Sequence, residues 1–74
     1  MKEEIIKILT EIRPEFDFTE DINFIEEGML DSFDIVSLVD SLDEKYKISI
    51  SGLDIIPENF SSIDAIVRIV EKNK

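Results

Sequence analysis

The sequence predicts an all-α fold, a small four-helix bundle of three main helices and one short one, with a long ordered loop between the first two. Two observations carry that expectation. Apolar residues recur at helical spacing in three separate stretches: Ile5, Ile8, Leu9 and Ile12; then Ile35, Leu38, Val39, Leu42 and Tyr46; then Ile63, Ile66, Val67 and Val70. Such i, i+3, i+4, i+7 stripes turn one face of each helix toward a shared core. Ile48-Ser49-Ile50, by its alternation and β-branching, suggests a short extended segment after the second of these helices.

The first helix is expected from Lys2 to Arg13, because Pro14 disfavours helical geometry at the residue before it. From Pro14 to Leu30 no period is evident, and the stretch exceeds the roughly 12–15 residues usual for a structureless loop in a compact domain. Its Phe16, Phe18, Ile22, Phe24, Ile25, Met29 and Leu30 supply enough apolar surface to pin it onto the helices, so an ordered loop is expected. That length allows the first two helices to lie antiparallel.

The second helix should run from Ser32 to Lys45 or Tyr46, capped by Asp31 or Ser32. Asp34, three residues after Asp31, makes an acidic variant of the capping box and suits the positive helix end. Gly28 can take the positive φ of a sharp approach. After Ile48–Ile50, Ser51 and Gly52 read as a turn, and Pro57 leaves room for at most a short helical turn between Leu53 and Phe60. Ser61-Ser62-Ile63-Asp64 reads as a capping box with Ser61 at the N-cap, opening a last helix that ends near Lys72.

At 74 residues the chain has room for one domain, residues 1–74, burying roughly 60% of the surface it exposes when unfolded. A hydrophobic content of 43% is too high for disorder even at a net charge of −10. Neither cysteine nor histidine is present, which removes thiolate chemistry, the commonest metal ligands and the usual general base, so no catalytic residue is expected. Asp21-Ile22-Asn23 begins like a calcium loop, then places Ile25 at the fifth position, Glu26 where glycine is needed and Ser32 where a bidentate glutamate is needed. No metal is expected. Charge of this sign repels nucleic acid and anionic lipid and favours basic patches on other proteins, and self-repulsion favours a monomer. Met1-Lys2-Glu3-Glu4 opens into mixed charge instead of an apolar run, so neither signal peptide nor membrane span is expected and a cytoplasmic location follows.

The stretch Glu26-Glu27-Gly28-Met29-Leu30-Asp31-Ser32-Phe33-Asp34, followed by an acidic amphipathic helix, resembles the acyl carrier proteins, whose signature is Asp-Ser-Leu. The resemblance continues through Ile48–Ile50 and Pro57–Ile66 and so covers most of the chain. It implies a stand-alone carrier that is not an enzyme. Ser32 would be joined through a phosphodiester to 4′-phosphopantetheine, taken from coenzyme A by a phosphopantetheinyl transferase, with Asp31 as motif neighbour. The arm's thiol would carry acyl or aminoacyl thioesters between loading and transfer enzymes. Phe33 replaces the usual leucine, and Ser37, Asp40 and Lys45 also depart from the fatty-acid type. The motif is similar to that of D-alanyl carrier proteins as well.

Between Pro14 and Glu44 lie eleven acidic residues and no lysine or arginine. With Ile35 at the centre of the core stripe, Phe33, Val36, Ser37, Asp40 and Glu44 fall on or towards the opposite side. Phe33 and Val36, bracketed by Asp34, Asp40 and Glu44, read as a docking face for a basic partner. The alternative of a different class is an unmodified acidic helical adaptor in which Ser32 only caps the helix.

Overall fold

The computed structural model describes residues 1–74 and contains three α-helices: α1 (Lys2–Ile12), α2 (Ser32–Tyr46) and α3 (Ile63–Lys72). The short fourth element between Leu53 and Phe60 takes the form of two 3₁₀ turns, Gly52–Asp54 and Pro57–Phe60. Pro57 explains this, since it starts a helical turn well but forbids an uninterrupted helix through it. Ile48-Ser49-Ile50 forms no strand; of the three only Ile50 is buried.

Helix α1 packs against both α2 and α3, and the Pro57–Phe60 turn closes against α2 and α3. The stripes meet as their spacing demands: Ile5 and Leu9 from α1, Ile35, Leu38, Val39 and Leu42 from α2, and Ile66, Ile69 and Val70 from α3 form one core with Phe60. Each such fully buried side chain is worth roughly 1.5–3 kcal/mol. The α3 stripe is rotated from expectation. Ala65 and Ile69 are buried with Ile66 and Val70, while Ile63 and Val67 are only half-buried, because α3 is covered on one side by α1 and on the other by the 3₁₀ turn.

Ser62, not Ser61, caps α3. Its Oγ accepts the Ala65 N–H at 3.1 Å, while the Ser61 hydroxyl donates to Glu58 O at 2.9 Å and its carbonyl accepts the Phe24 N–H at 2.8 Å. With its carbonyl tied to the loop and its hydroxyl to the preceding turn, Ser61 belongs to the connection, and the helix begins one residue later.

The long loop is ordered by its own side chains. Phe18 and Phe24 are fully buried, their rings edge to face with centroids 5.1 Å apart, and Phe16 stacks edge-on against Phe18 at 6.4 Å. Asp17 accepts the Thr19 N–H, and Asn23 Oδ1 accepts the N–H groups of Ile25 and Glu26 at 3.0 Å each, so polar side chains close the local turns. Met29 and Leu30 are buried just before α2, and Gly28 between them and Ile25 has φ +70. The loop therefore delivers the start of α2 at a fixed place. No helix is long and apolar enough to cross a membrane.

Candidate functional site

The start of α2 is built by two aspartates. Asp31 is the N-cap, with extended backbone, and its Oδ1 accepts the Asp34 N–H at 2.9 Å; Asp34 Oδ2 accepts the Asp31 N–H at 3.1 Å. This reciprocal pair is the capping box that the Asp-x-x-Asp spacing predicts. Of the two N-cap candidates, the longer carboxylate takes the position and Ser32 becomes the first helical residue. The Ser32 side chain is exposed, and its hydroxyl is not committed to closing the helix.

Asp31 is held below its ordinary value of 3.8, first by the Asp34 backbone N–H, with burial opposing and the Arg13 charge assisting. Arg13, at the C-cap of α1, reaches the box from the other side. Its Nε donates to Asp34 Oδ2 at 2.8 Å, while Nη2 lies 3.4 Å from Asp31 Oδ2 and Nη1 3.4 Å from Glu15 Oε2. The Asp34 contact comes first among the causes that hold the guanidinium above its ordinary value. No periodicity points to Arg13. The one sequence signal is that it is the last cation before a run of acids.

Six residues were expected on an outward docking face, and the structure divides them. Phe33 is 79% exposed and Val36 59%, and Asp40 and Glu44 are exposed farther along the same outer stripe. Ser37 is half-buried. Asp34 is a correction: at 6% exposure it is the one buried charged residue, turned inward onto Asp31 and Arg13. Its position at the third residue of the helix places it over the cap, and a carboxylate buried there is tolerated because it is paired and hydrogen-bonded. Leu53 at 90% and Ile56 at 40% are further exposed apolar side chains; they sit in or beside 3₁₀ turns, where helical spacing gives no warning.

The site fits a phosphodiester on Ser32. An exposed hydroxyl sits at a helix N-terminus, where the dipole favours an anion by roughly 0.3–1 kcal/mol. The approach is open, since Ser32 and its neighbours Asp31 and Phe33 are all exposed. By contrast, the largest surface groove, about 460 Å³ between α1 and α2, is lined by Glu4, Lys7, Glu11, Ser41, Glu44 and Lys45 around a single apolar residue, Ile8. That lining offers little to an alkyl chain.

Residues 3–70 match the family model described as the phosphopantetheine attachment site. The chain is 35% identical over 74 residues to the acyl carrier protein of Wolinella succinogenes, an alignment covering all of this chain and 92% of that protein. It is 29% identical over 73 residues to the D-alanyl carrier protein of Staphylococcus xylosus, covering 96% and 94% of the two chains. Proteins of this kind are carriers and not catalysts, consistent in chemistry with a chain that has neither histidine nor cysteine. A helical bundle with an attachment domain for 4′-phosphopantetheine along nearly its whole length, the chain belongs to the acyl carrier protein family.

Proposed function

We propose that Ser32 is the attachment point of the arm and that the 74 residues act as one carrier domain, holding acyl or aminoacyl groups as thioesters for other enzymes. The observation that supports this is the division of labour at the start of α2: Asp31 closes the helix, leaving the adjacent Ser32 hydroxyl exposed and uncommitted. Attachment forms a bond from Ser32 Oγ to the phosphorus of coenzyme A and breaks the diphosphate bond to its 3′,5′-ADP portion; the hydroxyl proton passes to the transferase. The bound group supplies a terminal thiol for thioester formation. This chain's own residues hold the serine at a rigid helix end and present the outer stripe Phe33, Val36, Asp40 and Glu44 to partners with basic docking patches.

Similarity to a D-alanyl carrier protein favours a second reading of the cargo, an aminoacyl group in place of a fatty acyl chain, and the polar lining of the largest groove agrees with a small cargo. Intact mass tests attachment. Purified protein incubated with coenzyme A, magnesium and a broad-specificity phosphopantetheinyl transferase gains one phosphopantetheine, and Ser32→Ala gains none. A wild-type protein that gains nothing, or a Ser32→Ala protein that still does, overturns the assignment and leaves the unmodified adaptor. Loading the modified form with D-alanine or with fatty acyl groups by their respective ligases then separates the two cargoes.

A further inference from the structure

We infer that Arg13 is a positioning residue for the modification of Ser32, acting through the Asp31–Asp34 capping box; this rests on Ser32 as the attachment site. Asp34 Oδ2 carries two bonds at once, the Asp31 N–H at 3.1 Å and the Arg13 Nε–H at 2.8 Å. The first holds the backbone of the residue next to Ser32. The second fixes where that carboxylate points, and it comes from another helix, 21 positions away in sequence. Arg13 thus sets the orientation of Asp34, Asp34 sets the backbone of Asp31, and Asp31 sets Ser32.

Removing the guanidinium leaves Asp34 as a buried carboxylate without a counter-charge, an arrangement that does not persist. The carboxylate turns out to solvent, which breaks its hold on the Asp31 N–H and frees the peptide that carries Ser32. Three carboxylates, Glu15, Asp31 and Asp34, converge on Arg13, so its loss also makes the surroundings of Ser32 no less negative. Attraction for a basic transferase is therefore kept while the placement of the nucleophile is lost.

These opposed effects distinguish positioning from simple stabilisation. A variant that only unfolds more easily presents less folded carrier, which raises apparent KM and leaves kcat alone. A misplaced serine lowers kcat at saturating carrier with KM unchanged or lower. The experiment is steady-state modification by the transferase with coenzyme A for wild type, Arg13→Ala and Arg13→Lys, together with amide hydrogen exchange on the unmodified proteins. Arg13→Ala is expected to lose on the order of ten-fold in kcat without a rise in KM. Arg13→Lys keeps a charge for Asp34 but not the planar fork that also spans Asp31 and Glu15, so its kcat falls between the two. Exchange at the Asp34 and Ile35 amides should quicken in Arg13→Ala while that of Ile69 and Val70 in α3 stays as in wild type. Wild-type kcat in Arg13→Ala, a raised KM with kcat unchanged, or an Arg13→Lys no better than alanine overturns the inference. Should Arg13→Ala not fold, the kcat and exchange of Arg13→Lys against wild type carry the test in the same direction. No mass gain in the wild type overturns the reading of Ser32 instead.

Discussion

The hydroxyl of Tyr46, in the last turn of α2, donates to Glu4 Oε1 in the first turns of α1 at 2.9 Å. With the Arg13–Asp34 pair joining the opposite ends of the same two helices, it shows α1 and α2 running antiparallel and cross-linked at both termini. The end that carries Ser32 is thereby set by polar contacts as well as by the core.

Burial first, and the Glu4 hydrogen bond second, push the Tyr46 hydroxyl up from 10.0 to about 12. The folded protein holds this proton more tightly than the unfolded chain does, so the contribution is complete below about pH 10 and is lost as pH rises through about 12. Tyr46→Phe lacks that ionisation. Urea unfolding on the alkaline side should show the stability gap between wild type and Tyr46→Phe narrowing over this interval, and a constant gap would show that the hydroxyl titrates alike in both states.

Leu38 and Val36 are neighbours on α2 in opposite environments, fully buried and 59% exposed. Leu38→Ala should cost roughly 2–5 kcal/mol through the lost side chain and the cavity it leaves. Val36→Asp should change stability by no more than about 0.5 kcal/mol, yet slow modification by removing apolar contact beside Phe33. Thermal unfolding and modification rate, measured on both variants, check the pair; an unfolded Val36→Asp would remove the docking face.

Ser62→Ala should weaken the bundle by about 0.5–2 kcal/mol, the range for a lost N-cap. Ser61→Ala should cost less, because it keeps the backbone carbonyl that accepts the Phe24 N–H and loses only an exposed hydroxyl bond to Glu58 O. Neither should alter modification of Ser32 in the folded protein. Denaturant midpoints and intact mass report the two properties separately.

Asp40→Lys and Glu44→Lys should slow association with the transferase, since exposed charges act on encounter. Screening over about 8 Å at physiological salt means that the difference from wild type shrinks as salt is added. Rates measured from low to high ionic strength decide between steering and a direct contact, which would leave a defect independent of salt.

Local chemistry made much of this legible in the sequence. The three stripes follow from side-chain spacing, the bond between Asp31 and Asp34 from a three-residue offset, the turn at Gly28 from its freedom to take positive φ, and the ordering of the long loop from its phenylalanines. Each depends on residues within a turn or two of one another, or on whether a segment is apolar enough to be buried, and so it can be read without knowing where other elements lie. What the tertiary structure alone decided concerns direction and partnership. Asp34 could face solvent or core with equal covalent ease, and it faces inward because core packing brings the end of α1 and Arg13 within 2.8 Å of it. Local spacing to Asp64 favours Ser61 as the cap, yet the Phe24 N–H occupies the Ser61 carbonyl and Ser62 takes the position. An ion pair or hydrogen bond of this range forms where packing of the whole chain has brought its partners together, and sequence spacing carries no record of that distance.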